Sequence, residues 1–283
     1  MRGRFRKPAC DGMVARMSIR PALAAAVAAL AIVSSPAIAA DPPAGRVAPS
    51  AIVEQAPAAD WTAIAPDDLM VMTLAPASPG GPVRRVVIQL LPAPLSAPWV
   101  ANIRRLATAH WWDGTSINRV QDNYVAQWGD ATEKKPLPPG LSVVSEANYD
   151  LAWTSLPGAG AMRYDPIGGY APRGSADGAM RPVDVYAPGL IWYRGFPLGS
   201  ELKPAAEGRR VWPVHCYGMV GVGRNLSPDT GSGAELYAVI GHAPRHLDRN
   251  IALAGRVIEG IEHLSSLPRG TEGLGFYRTP QER

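Results

Sequence analysis

Several places in the 283-residue chain combine residue types able to do chemistry. His215 and Cys216 are neighbours, and a histidine beside a thiol is the beginning of a thiolate nucleophile. No third orienting group lies near them in sequence, so a buried, inert thiol is expected. His242 and His246 are four apart, which on a helix would aim two imidazoles at one metal ion. Pro244 between them favours a loop, so no metal site is expected. Gly218-Met-Val-Gly221-Val-Gly223 is glycine-rich but lacks the Gly-x-Gly-x-x-Gly spacing and the following helix that a dinucleotide requires. Ser116 and Ser232 have glycines close by, yet neither forms a nucleophile elbow, and no hydrolase constellation survives. What stands out instead is a pair of segments dense in aromatic, polar and glycine residues, Trp111–Asp130 and Gly231–Val257.

The elements that must hold these segments read as mainly β. Glycine and proline number 29 each, about a fifth of the chain, which argues for many turns and against a helical bundle. Leu69–Leu74 and Val86–Leu91 flank a turn-rich loop from Pro76 to Pro82 and predict a hairpin. Ser96 is a candidate cap, Pro98 suits a first helical turn, and Trp99, Ile103, Leu106 and Ala107 share one face, so a helix is predicted over 98–110. Asp113-Gly114 is a turn. Ser116 to Gln127 reads as two short strands broken at Asp122-Asn123. Further apolar runs at Tyr217–Val222 and Leu236–Ile240 read as strands, and Val257–Leu264 as a second short helix. Between them, residues 134–211 form a long loop-rich insertion. Its aromatics, among them Trp153, Tyr164, Tyr170, Tyr193 and Phe196, predict packing on the main body, while the barrel is expected to fold without residues 141–205.

The net charge of +4 comes from the N-terminus, where Arg2, Arg4, Arg6, Lys7, Arg16 and Arg20 face Asp11 alone. Beyond Ala40, acids and bases nearly balance, so nucleic acid is not an expected partner. The basic stretch, the apolar run Pro21–Val33 and Ala37-Ile-Ala39 predict a cleavable signal peptide over residues 1–40, with Met13 and Met17 as alternative starts. The apolar run is short of the ~20 residues that span a bilayer, so no stable membrane anchor is expected. A periplasmic or secreted protein follows. Cys10 would leave with the signal, so Cys216 would stand alone without a disulfide. Residues 41–66 are rich in proline and alanine and predict an extended leader.

The two segments resemble the cyclophilin-type peptidyl-prolyl cis-trans isomerases. The family pattern is met in order by Trp112-Asp-Gly-Thr115, Asn118-Arg-Val120, the aromatic Tyr124, Gln127-Trp-Gly-Asp130 and Leu247-Asp248, over about residues 67–130 and 217–270. The resemblance implies a closed eight-stranded antiparallel barrel with two capping helices over residues 67–275, followed by a tail at 276–283. It also implies acceleration of X-Pro rotation in exported proteins during folding, without metal or organic cofactor. Arg119 would hold the proline carbonyl and donate toward the prolyl nitrogen. Gln127 would fix Arg119 or bind the substrate amide, and Tyr124, Val125, Tyr237 and Leu247 would wall the proline ring. Gly223 and Arg224 would present backbone to the peptide, while Glu235, His246 and Ile251 would line the rest of the groove.

The departures are as specific as the matches. The family usually has phenylalanine at Tyr124 and Tyr237, methionine at Val125, asparagine at Arg224, glutamine at Glu235, histidine or tyrosine at Ile251, and histidine at Asn118. The two tyrosine hydroxyls need partners. Glu235 is placed to pair with Arg119 or Arg224 and alter the field at the substrate. Such changes leave a second reading open, a catalytically weak cyclophilin-fold peptide-binding module or holdase. The family's last strand has no apolar alternating counterpart after the second helix, which leaves that position to the leader or insertion, or empty if the product is cut short.

Overall fold

A computed structural model gives the structure of residues 47–159, 184–201 and 207–283. The expected signal peptide with Cys10, and the part of the insertion holding Tyr164 and Tyr170, lie outside the described residues. The described residues up to Trp61 belong to a unit of their own. In it, helix α1 (Pro49–Glu54) has proline in its first turn and no buried residue. This stretch is short helix where composition suggested extended chain.

The unit from Thr62 onward carries the rest. The antiparallel hairpin of β1 (Leu69–Leu74) and β2 (Arg84–Leu90) is followed by helix α2 (Ala97–Thr108). The helix buries Trp99, Asn102, Ile103 and Leu106, spaced three and four apart on one stripe. Ser96 precedes it in the left-handed region and its side chain makes no cap. Pro98 in the first turn removes one amide that would lack a partner. Asn102 is satisfied despite burial: Nδ2 donates to the carbonyls of Ser142 at 2.9 Å and Ser232 at 3.0 Å, while Oδ1 accepts from the Ser142 amide. That side chain ties the helix to both the insertion and the segment leading to Glu235.

Strands β3 (Ser116–Val120) and β4 (Val125–Gly129) form the second expected hairpin. The insertion then contributes β5 (Leu151–Ala152), β6 (Gly189–Tyr193), β7 (Phe196–Ser200) and β8 (Arg210–Pro213), a four-stranded sheet in the order β5-β8-β7-β6. The insertion is loop-rich as expected, but it also carries this small sheet, which the sequence reading did not foresee. Its apolar side chains Tyr149, Trp153, Tyr193, Phe196 and Leu198 belong to the same buried cluster as the main sheet. The chain returns through β9 (Met219–Val222), β10 (Leu236–Val239) and β11 (Leu253–Glu259). The main sheet has seven strands, ordered β1-β2-β11-β9-β10-β4-β3, and is antiparallel throughout.

Two expectations change here. Val257 and Ile258 extend β11, where Val257 pairs with Ile88 of β2 and Ile258 sits at a register shift, so the second helix is only α3 (Glu262–Ser265). β-branched residues beside an open strand edge gain more from the ladder than from a helix. The main sheet is not the closed eight-stranded barrel expected: its end strands β1 and β3 are not paired with each other among the described residues, and three helices, not two, are present there. After α3 the chain follows the outer edge of β3 in irregular form. Phe276 makes one isolated antiparallel bridge with Arg119, the Tyr277 amide donates to the Asn118 carbonyl at 3.0 Å, and the Gly270 amide to the Val120 carbonyl at 2.9 Å. Glycines at 270, 273 and 275 explain why this edge is bonded without becoming a regular strand.

Candidate active site

The site arises from the two-residue period of β3, β4 and β10. Ala126, Trp128, Leu236 and Ala238 enter the main core, while Val125, Tyr237 and Val239 form a separate cluster on the opposite face, joined by Tyr124 and Ile251. Gln127 lies on the same side of β4 as Val125. The β3–β4 register shifts between Ile117 and Arg119, and this bulge turns the Arg119 side chain toward Gln127. Gly221 lies opposite Tyr237 on the neighbouring strand, and a Cβ there would fall 2.2 Å from the tyrosine ring. The larger aromatic fits because its cross-strand partner has no side chain.

Arg119 is half-buried and tightly held. Nε donates to the Leu274 carbonyl at 2.7 Å, one terminal nitrogen donates to Gln127 Oε1 at 3.3 Å, and the other to Gln121 Oε1. Tyr124 and Phe276 lie against the guanidinium at 5.6 and 5.4 Å from their ring centres. Burial lowers its pKa from the ordinary value, opposed by the two tyrosines, but an arginine stays charged in a protein. A guanidinium has five N–H donors, so two remain for a ligand once these three bonds are made.

Tyr124 stacks on exposed His246 with ring centres 6.2 Å apart, and burial raises its pKa. Tyr237 is buried, and its hydroxyl meets His215 Nε2 at 2.8 Å, behind the apolar face. His215 Nδ1 meets Asp248 Oδ1 at 2.9 Å. A carboxylate only accepts, so Nδ1 carries the proton and the Tyr237 hydroxyl donates to Nε2. Desolvation lowers the His215 pKa against the pull of Asp248, and burial pushes that of Tyr237 well above its ordinary value. Both stay neutral near pH 7. Cys216 beside them is half-buried and burial raises its thiol pKa, which makes it a poor nucleophile.

Glu235 is bound neither to Arg119 nor to Arg224. Its carboxylate accepts from Asn118 Nδ2 at 3.2 Å. Gly129 makes this possible, since a Cβ there would lie 1.9 Å from the Glu235 carboxylate. Desolvation raises the Glu235 pKa despite the bond from Asn118. Gly223 touches this corner through its backbone, its amide donating to the Glu235 carbonyl at 2.8 Å. Arg224 turns away, donating to the Asn250 and Asn225 carbonyls at 3.1 and 2.7 Å and to the Asn250 side chain. Leu247 is buried in the turn Arg245–Leu247, where its carbonyl accepts from the Ile251 amide at 3.0 Å. Pro244 precedes that turn, so His242 and His246 do not share a helical face. Among the described residues there is no group of three or more metal-ligating side chains, and no helix long and apolar enough to cross a membrane.

The arrangement is a fixed guanidinium with spare donors beside an apolar aromatic surface. The family described as "Cyclophilin type peptidyl-prolyl cis-trans isomerase/CLD" matches residues 85–277, more than half of the chain. The chain belongs to the cyclophilin-type peptidyl-prolyl cis-trans isomerase family. Among solved structures, the fold of this cyclophilin is similar to that of the cyclophilin AquaCyp293 from Hirschia baltica, with a TM-score of 0.54 at 22% identity over 77% of this chain and 73% of the other. No curated protein matches the chain.

Sequence reasoning about the cyclophilin site missed Gln121, Leu274 and Phe276, all of which hold Arg119, and His215 with Asp248 behind Tyr237. The hydroxyl of Tyr237 was the one available signal, since a buried tyrosine needs a polar partner.

Proposed function

We propose that this cyclophilin accelerates cis-trans rotation of X-Pro bonds in exported proteins as they fold, in the periplasm or outside the cell. Family membership supports isomerase activity, and the basic stretch, apolar run and Ala-x-Ala step of residues 1–40 support export. Rotation faces a barrier of ~18–20 kcal/mol because the peptide C–N bond is partly double, and no bond need be broken to lower it. As the bond twists, the prolyl nitrogen loses conjugation and its lone pair becomes a hydrogen-bond acceptor. A donor fixed beside it stabilises the twisted state more than the planar one, which is the condition for catalysis. The observation that carries the reading is Arg119: three N–H groups fix the guanidinium and two remain to bind the prolyl carbonyl and meet the developing lone pair. Val125, Tyr237, Tyr124 and Ile251 supply the apolar wall for the proline ring. His246, Leu247, Glu235, Gly223 and Arg224 then border the path of the flanking chain.

The test is the cis-to-trans rate of a short X-Pro peptide with the protein and with Arg119→Ala. The wild type should accelerate the reaction, and the variant should lose about 10²–10³-fold in kcat/KM, the scale for removing a fixed transition-state donor, with its circular dichroism unchanged. Peptide binding without acceleration by the folded wild type would favour the binding-module reading.

A further inference from the structure

The segment after α3 holds Arg119 and leaves two large apolar side chains open to solvent. Leu274 is 66% exposed and Phe276 39%, although Tyr277 beside them is buried. Single exposed hydrophobics need no explanation, but these two share a place. The Leu274 carbonyl oxygen is 2.7 Å from Arg119 Nε, and the Phe276 ring centre is 5.4 Å from the guanidinium carbon. Leu274 also sits in the left-handed region at φ 60°, where a bulky side chain is disfavoured and glycine or asparagine is at ease. Neither its conformation nor its exposure serves the core. Backbone kept in a sparsely populated region is characteristic of ligand-binding segments. This one is also rigid. The Glu272 amide donates to the Phe276 carbonyl at 3.0 Å and the Gly275 amide to the Glu272 carbonyl at 3.1 Å, which closes a tight loop. Arg278 Nε donates to Glu272 Oε1 at 2.6 Å. Gly275 lets the loop press on β3, since a Cβ there would fall 2.6 Å from Gln121 Cα. Leu274 and Phe276 are therefore in place before a ligand arrives, which spares part of the ordering cost of binding.

The course of a bound peptide follows from Arg119, whose spare N–H groups take the prolyl carbonyl. That carbonyl carbon is bonded to the nitrogen of the next residue, so the residue after proline begins at the guanidinium. Tyr124 packs with the apolar wall and lies 5.6 Å from the guanidinium carbon, while Phe276 lies 5.4 Å from the same atom and is not in that cluster. An extended chain advances ~3.3–3.6 Å per residue, so neighbouring side chains of one peptide can rest on the wall and on Phe276 at once. We infer that Leu274 and Phe276, held against Arg119, form a binding site for an apolar side chain on the residue that follows the proline. The inference rests on the reading of Arg119 given above and adds a substrate class to it, X-Pro bonds followed by leucine, phenylalanine or a similar residue.

The experiment measures kcat/KM for two peptides that differ only after the proline, X-Pro-Leu and X-Pro-Ala, with the wild type and with Leu274→Asn. Asparagine tolerates the left-handed region and keeps the carbonyl that binds Arg119. Phe276 is left in place because it also covers the guanidinium. The wild type should favour the leucine peptide by about threefold to tenfold, the worth of partly burying one side chain. In Leu274→Asn that ratio should fall toward one, and taking it within each protein cancels any loss at Arg119. A wild-type ratio of one overturns the inference. So does a ratio that survives the substitution, which would place the preference in the wall instead. If the wild type accelerates neither peptide, the proposed function fails. The methyl resonances of Leu274 in the wild type then decide the site alone: they should shift more on titration with the leucine peptide than with the alanine peptide, and equal or absent shifts overturn it.

Discussion

Tyr237 shows how one added oxygen reshapes a wall. Placed where the family usually has phenylalanine, its hydroxyl would be costly against apolar neighbours without a partner, and His215 supplies one, oriented in turn by Asp248. Removing the oxygen leaves His215 Nε2 buried and unbonded. Tyr237→Phe should therefore cost about 1–3 kcal/mol of stability in urea unfolding, although phenylalanine fits the wall. An unchanged midpoint would mean that the His215 bond contributes nothing net. The same residues set a pH dependence. The folded protein depresses the pKa of His215, so the native state binds a proton less readily than the unfolded chain. Its contribution is complete above the ordinary histidine value of about 6.5 and is lost as pH falls through the depressed one. The raised pKa of Glu235 acts with the opposite sign, its share of stability growing on acidification. Urea midpoints of the wild type and His215→Asn, at neutral and mildly acidic pH, should separate the two: the variant is weaker at neutral pH and loses less on acidification.

At the scale of elements, the irregular segment after α3 positions Arg119 from outside the main strands. The Leu274 carbonyl binds Nε, Phe276 covers the guanidinium, and Tyr277 is buried with its hydroxyl donating to the Pro268 carbonyl at 2.6 Å. Phe276→Ala should remove about 0.5–1 kcal/mol of cation–π contact and lower kcat more than it raises KM, since it loosens Arg119 without touching the apolar wall. Tyr277→Ala should cost about 3–5 kcal/mol, the scale for emptying a buried aromatic site. Helix α2 is anchored separately: Trp99 is fully buried, stacks on Tyr149 at 5.5 Å and donates to the Thr230 carbonyl at 3.1 Å.

For the molecule beyond Thr62, the insertion and main sheet share one core. The stack of Trp99 on Tyr149 crosses from α2 to the insertion, and the Thr230 hydroxyl donates to the Val144 carbonyl at 2.7 Å. A polar chain runs from Asp184 of the insertion through Arg245 and Asp248 to His215 and Tyr237. The expectation that the barrel folds without residues 141–205 is accordingly reversed. Deleting them uncovers Trp99 and strips Arg245 of one carboxylate, so the product should aggregate or lose its cooperative unfolding transition, as size-exclusion chromatography and thermal melts would show.

The sequence alone determined the strands and turns nearest the site, because their information is local. Apolar runs bounded by turn residues marked β1, β2, β9 and β10, Asp122-Asn123 marked the turn between β3 and β4, and the order of Trp112, Arg119, Tyr124 and Gln127 marked the family. Tertiary structure decided what depends on contacts between distant residues. Glu235 was free in sequence to pair with either arginine, and the space left by Gly129 and the donor of Asn118 hold it away from both instead. The insertion read as loops because its turn residues are local while the pairing of β8 with β5 and β7 is not. Val257 read as helical until β2 offered it an edge. Hydrogen bonds and burial between residues far apart in the chain outweigh local preferences, and they exist only once the sheet has formed.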